Sequence, residues 1–184
     1  MASFLPAAHV EGARMGDPHE LSRLIEAVWP DAYRLAFAIL GDRSSAQDAS
    51  QESCIIVCRT IASLRGAGAF RVWFSRIVVR EASRLKRRRA AVELVVAPAP
   101  DSTDHATSID IWRALSALPR KLREVVVLRY FEDFSSREIA SILLVPDGTV
   151  RFRLAVAIRR LRPLLGDVPE SAPHAPSKVR THAV

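Results

Sequence analysis

Arg76, Arg80, Arg84 and Arg87 recur at i, i+4, i+8 and i+11, a spacing that aligns them along one side of a helix. Such a column of guanidinium groups can follow the phosphates of a nucleic acid. Trp73 lies close to the edge of that column, where an aromatic face can stack on an unpaired base, although it can equally serve a core. Just upstream, Arg65-Gly66-Ala67-Gly68 reads as a loop, because paired glycines break a helix. Its backbone can approach a nucleotide closely, so Arg65 to Phe70 is the expected pocket for a base swung out of its stack. Charge is concentrated here: ten basic residues and one acid, Glu81, lie between Arg59 and Arg89.

A second cationic helix lies near the other end of the chain. Ser135-x-x-Glu138 is a capping box, in which each side chain satisfies the other residue's free backbone N–H. It opens a short helix, Ser136 to Leu143, with Ile139, Ala140 and Leu143 facing inward. Pro146, Asp147 and Thr149 suit the start of another helix. There Val150, Leu154, Ala157 and Leu161 define the buried side, leaving Arg151, Phe152, Ala155, Val156 and Arg159 on the open side. A short helix, a tight turn and a longer arginine-bearing helix form the helix-turn-helix pattern, whose second helix enters the major groove. Leu144 stands where Gly is usual. A left-handed Leu costs about 1–2 kcal/mol, so a slightly different turn geometry is expected.

Other polar groups suggest surfaces rather than catalysis. Asp48, Gln51 and Glu52 fall within about one helical turn and can present one patch. Cys54 and Cys58 are four residues apart, but the histidines, at 9, 19, 105, 174 and 182, are all remote from them. Two buried free thiols are expected rather than a metal site, and a reducing cytosol is the simplest setting. There is no Walker loop, no HExxH and no coherent Ser/His/Asp grouping, so neither an enzyme nor a cofactor is expected.

The elements that must position these groups are helical. Of 184 residues, 49% are apolar and 26% charged, which excludes a wholly disordered chain. No apolar run approaches the roughly 18 residues that span a bilayer, and the first twenty residues lack a secretory pattern. The net charge of +7 makes a polyanion the default partner, and no amphipathic membrane anchor is evident. Of 27 basic residues only Lys86, Lys121 and Lys178 are lysine, a ratio that an arginine-rich genome explains.

The organisation predicted is a loose leader (1–20), a helical block (21–89), a linker (90–108), a second helical block (109–165) and a disordered tail (166–184). In the first block one helix ends at Gly41. Another begins near Ser44 or Ser45 and runs through Ile61, with Ile55, Ile56 and Ile61 inward. A third, from Phe70 to Arg89, buries Phe70, Phe74, Ile77 and Leu85. The fold class is all-α: two small helical domains joined by a flexible linker.

Several stretches together resemble a known family. Leu115-Ser116-Ala117-Leu118-Pro119, Arg123-Glu124-Val125-Val126-Val127-Leu128, Glu138-Ile139-Ala140 and Gly148-Thr149-Val150-Arg151-Phe152-Arg153-Leu154 resemble region 4 of extracytoplasmic-function (ECF) bacterial sigma factors. Ala46-Gln47-Asp48-x-x-Gln51-Glu52, Leu64 to Phe70, and Trp73-Phe74-Ser75-Arg76-Ile77 resemble their region 2. The resemblance spans about residues 21–165, in the family's order.

The resemblance implies a dissociable, non-enzymatic subunit that gives RNA polymerase its promoter specificity. Region 2 would bind the polymerase clamp through Asp48, Gln51 and Glu52. The melted −10 element would meet Arg65, Gly66, Phe70, Trp73, Arg76, Arg80, Arg84 and Arg87. Region 4 would bind the polymerase flap and read the −35 element with Thr149, Arg151, Phe152, Arg153, Ala155, Val156 and Arg159. An anti-sigma factor is a further implied partner. The chain departs from the family pattern at Arg80, Arg84 and Cys54, and at Val156 and Ile158 late in the recognition helix. Its promoter sequence therefore cannot be copied from relatives. Two other readings remain open: an operator-binding regulator that uses only the helix-turn-helix, and a degenerate sigma-like protein that sequesters an anti-sigma factor.

Overall fold

Val10 and Ala13 share one face of a short stretch ahead of Gly16, and both are buried in the computed structural model, which describes residues 7–92 and 106–165. They belong to a helix, α1 (Ala7–Arg14). Gly16, at φ 91°, reverses the chain, and Asp17 then accepts hydrogen bonds from His19 and Glu20 to start α2 (Pro18–Leu40). Where described, the expected loose leader is thus one helix and the start of another. Eight residues are too few for a helix to persist alone, so packing against α2 sustains α1. Gly12 makes the approach possible: a Cβ there would lie 2.6 Å from Glu20 Cγ.

Helix α2 runs through Pro30 and ends at Gly41, whose φ of 73° and N–H bond to the Phe37 carbonyl close it as expected. Asp42 caps α3 (Arg43–Thr60). Its phase differs from one set by three isoleucines: Ile61 is buried, but Ile56 is only half-buried and Ile55 is exposed. The face turned inward carries Ala46, Ala49, Ser50, Ser53, Cys54 and Val57. Small residues let the helices approach closely, and the hydroxyls of Ser50 and Ser53 turn back to the carbonyls of Ala46 and Ala49 at 2.6 Å. One 3₁₀ turn, Ile61–Ser63, precedes the glycine loop and another, Ala67–Ala69, forms its second half and leads into α4 (Phe70–Val92). Phe70, Phe74, Val78, Val79 and Ala82 line its buried side, with Ile77 and Leu85 at its margin.

The second half comprises α5 (Ala106–Ala117), α6 (Arg120–Val126) with a π-helical turn at Val127–Phe131, α7 (Ser136–Leu143) and α8 (Asp147–Leu165). The helical blocks therefore extend to Val92 and back to Ala106. The core of the linker and the tail 166–184 lie outside the described residues. The capping box at Ser135 and Glu138 forms with both bonds present. Leu144 does adopt the left-handed conformation, at φ 53° and ψ 47°, with its side chain in solvent. Bonds from the Leu144 and Val145 N–H groups to the Ala140 carbonyl close the helix end and offset the strain.

The two halves pack on one another. One apolar cluster runs from α1–α4 into Val125, Val127, Leu128, Phe134, Ile139, Ile142 and Val150 of the second half. A chain of rings crosses the same boundary, with Tyr33, Phe37, Trp112 and Phe131 at centroid spacings of 6.1, 5.2 and 5.8 Å. Arg123 is the polar tie. It is 5% exposed, and its guanidinium donates to the carbonyls of Ile39, Ser116 and Leu118 at 2.9, 2.7 and 3.2 Å. Burial lowers its pKa below the usual arginine value, with Glu124 acting in the other direction. A second polar tie joins Ser83 on α4, Glu124 and Arg120 on α6.

Candidate nucleic-acid interface

The Gly-rich loop and α4 together build a cleft. It encloses about 460 Å³ and is lined by Ser63, Leu64, Arg65, Ala69, Val72, Trp73, Arg76 and, from α7, Ser141. Trp73 is half-buried: one side rests against Phe70, with ring centroids 5.9 Å apart, and it also forms part of the wall. Phe70 itself is 3% exposed and stacks on Phe74 at 5.5 Å. It supports Trp73 from within the core and offers no face to a nucleotide. Gly66 and Gly68 have no neighbour within 4 Å of where a Cβ would stand, so the loop is open beside both glycines, while Ala67 between them packs on the core.

The arginine column is present, but its members are held differently. Arg76 donates to the carbonyl and hydroxyl of Ser141 at 3.1 and 2.8 Å. Arg84 bonds Glu81, which raises its pKa, and Glu52 on α3 adds a smaller favourable field. Arg80 and Arg87 are exposed. Arg71, on the same helix, lies with its guanidinium 4.0 Å over the Phe134 ring and donates to the Glu132 carbonyl. It is a cation–π tie between the halves.

On α8 the expected open face is exposed at Arg151, Phe152, Ala155 and Arg159. Phe152 is 69% exposed and does not tuck into the core. Val156 does not belong to that face: it is half-buried against Leu115, Leu118, Leu122, Val126 and Ala157. It turns toward α5 and α6, which pack on the same helix. Thr149 and Arg153 are half-buried at the margin. Arg151 is paired with Asp147 one turn back, at 2.8 Å.

Helix α3 presents Asp48 and Gln51 to solvent, with Glu52 half-buried on the side nearer Arg84. Further along the same helix Cys54 is buried and its thiol is pushed up to about 11, by burial first and the neighbouring Cys58 second. Cys58 is exposed, contrary to the expectation of two buried thiols. Among the described residues no group of three or more His, Cys, Asp or Glu side chains could hold a metal ion. Among them, too, no helix is long and apolar enough to cross a membrane.

Sequence spacing located the arginines but not all of the cleft. Ser141 lies 65 residues beyond Arg76 in sequence, and no local pattern connects them. Ala69 falls within the expected Arg65–Phe70 pocket, whereas Ser63, Leu64 and Val72 lie outside it and are small or apolar, with no chemical signature of their own.

Comparison with known proteins defines the class. Residues 24–92 match sigma-70 region 2, and residues 108–161 match sigma-70 region 4. The chain belongs to the ECF-type RNA polymerase sigma factors, non-enzymatic proteins that direct promoter recognition and transcription initiation. Among particular relatives, it is 31% identical over 137 residues to the RNA polymerase sigma factor SigV of Bacillus subtilis, covering 72% of this chain and 82% of that one. It is 34% identical over 167 residues to the ECF sigma factor SigM of Mycobacterium tuberculosis, covering 88% and 83%. A similar fold occurs in the sigma factor RpoE of Bartonella quintana, solved in complex with the anti-sigma factor NepR (TM-score 0.66, 23% identity, 78% of this chain and 95% of that one).

Proposed function

We propose that the chain divides promoter recognition between two surfaces. The cleft formed by Arg65, Trp73 and Arg76 takes an unpaired nucleotide of the −10 element, and Arg80, Arg84 and Arg87 follow its phosphates. Helix α8 reads the −35 element as duplex with Arg151, Phe152, Ala155 and Arg159, while Thr149 and Arg153 serve its backbone. The observation that carries this division is the contrast in shape: α4 borders a cleft with an aromatic wall, whereas α8 is a protruding helix with a side-chain face in solvent.

Asp48 and Gln51 meet the clamp of core polymerase, with Glu52 at the edge of that patch, and the region 4 domain meets the flap. Their exposure on one face of α3 supports the assignment, since a contact patch must be open. An anti-sigma factor is a further partner, a reading supported by the fold shared with the NepR-bound sigma factor. The place of action is the cytoplasm, where polymerase and promoter meet.

The clamp assignment is tested with Asp48→Arg combined with Gln51→Ala. Affinity for core polymerase should fall by about 2 kcal/mol through charge reversal on a contact patch, while helicity is retained. Unchanged affinity in a normally folded variant contradicts the assignment. A mobility-shift assay with and without core enzyme also separates a sigma factor from an operator-binding regulator, because only the regulator would bind promoter duplex tightly alone.

A further inference from the structure

The loop that borders the cleft is held at its base from two sides. The Leu64 N–H bonds the Ile61 carbonyl at 3.0 Å, which holds the residue on the side of the 3₁₀ turn. Its carbonyl is held from a different element altogether: Arg14 Nε of α1 donates to it at 2.6 Å, across 50 residues of sequence. Arg14 is itself braced, since its Nη1 bonds both carboxylate oxygens of Glu11 at 2.7 and 2.6 Å. Helix α1 is seated in turn by Val10 and Ala13 in the core, by the close approach of Gly12 to Glu20, and by the pair His9–Glu20. It packs on α2 and on both 3₁₀ turns.

A peptide unit is planar and trans, so fixing a carbonyl also fixes the direction of the next N–H. Arg14 therefore sets the plane of the Leu64–Arg65 peptide, from which the Arg65 side chain departs. Both residues line the cleft. Beyond them the Ala69 N–H bonds the Gly66 carbonyl at 3.1 Å and Ala67 packs on the core, so the loop continues from this held base with open space only beside Gly66 and Gly68.

We propose that α1 belongs to the strand-binding apparatus and that Arg14 is a positioning residue for it. Through the Leu64 carbonyl it holds the wall of the cleft and the root of Arg65 in the arrangement that accepts an unpaired nucleotide. Arg14 touches no nucleic acid in this role. The inference rests on the reading of the cleft given above. It adds the residue that sets the cleft's shape and gives a task to a helix outside the matched region 2.

The test uses holoenzyme assembled from core polymerase and the full chain. Three quantities are measured: affinity for core, affinity for a single-stranded −10 oligonucleotide, and strand opening followed by 2-aminopurine fluorescence in a promoter. Arg14→Ala should weaken oligonucleotide binding and slow opening about tenfold, the loss of one charge-assisted hydrogen bond. Core affinity should stay within about twofold, since the α3 patch is untouched. Arg14→Lys should recover part of the loss, because an ammonium group can still donate to the Leu64 carbonyl but cannot hold Glu11 with the same fork. A chain lacking Gly66 to Gly68 serves as reference for the cleft itself. If that deletion impairs opening while Arg14→Ala does not, the inference about α1 is overturned and the cleft stands. If the deletion also leaves strand binding and opening normal, the reading of the cleft fails. Equal losses in core affinity, strand affinity and thermal stability for Arg14→Ala would show a role in folding alone and overturn the inference.

Discussion

Helices α4 and α8 both carry arginines toward solvent, yet their surroundings differ. On α8 Arg151 is tied within the helix: it is 71% exposed and bonds Asp147 one turn away. On α4 Arg84 likewise bonds Glu81 of its own helix, but two other arginines are linked to other elements, Arg71 to Phe134 and Glu132, and Arg76 to Ser141. The difference follows from the tasks proposed for them. Reading a duplex needs a rigid helix narrow enough for the major groove, which one amphipathic segment can supply. Holding a single strand needs a concave site, and a single helix is convex. The cleft therefore draws on the loop, α4 and α7, with α1 behind it.

The joined surface around α4 should be the more sensitive to disruption of the packing between the halves. Arg123→Ala removes a buried guanidinium that serves three carbonyls, and leaves them without its hydrogen bonds. It should cost about 3–5 kcal/mol, read as a lowered midpoint in urea unfolding. A loss below about 1 kcal/mol would mean that the halves are not held by this tie.

A smaller effect is expected on α8, where the side chain changed is tied to its own helix through Asp147. Arg151→Ala should weaken −35 binding by about 1–3 kcal/mol without altering the unfolding midpoint. If Arg151 reads a base, the loss is confined to one position of the element. If it grips phosphate, the loss is similar on every sequence and the salt dependence falls by about one ion. Binding unchanged on all sequences would remove Arg151 from the interface.

The smallest effect concerns pH at the boundary between the halves. Glu132 is pushed above the usual carboxylate value by burial and then by Asp31, with Arg71 and Arg34 acting in the other direction. Its folded form binds a proton more tightly than its unfolded form. Its contribution is therefore fully present at low pH and is lost as pH rises from the usual carboxylate range through the raised folded value. Glu132→Gln should remove that decline and leave the chain slightly more stable at neutral pH. An unchanged pH profile of the melting temperature would show that Glu132 is not desolvated in solution.

How far these features can be read from sequence follows the same contrast. The capping box at Ser135, the stop at Gly41 and the face bearing Arg151, Phe152 and Arg159 depend on neighbours within a few residues, and local spacing finds them. Val156 escapes local spacing because its burial depends on Leu115, Leu118 and Leu122, which lie outside α8. Ile55 lies outside because the interior face of α3 is built mostly from alanine and serine, so the largest apolar residues do not mark the phase. Helix α1 left no signal, since eight residues with two buried side chains carry too little periodicity to stand out. The partnership of Arg76 with Ser141, like that of Arg14 with Leu64, joins residues remote in sequence.

The division of labour is tested most directly by permanganate footprinting of holoenzyme formed with the chain lacking Gly66 to Gly68. The loop is remote in sequence from α8, and no residue of α8 lines the cleft it borders, so its removal should leave the −35 element protected while the −10 thymines stay unreactive. Normal thymine reactivity alongside normal −35 protection would contradict the account, for strand opening would then proceed without the cleft.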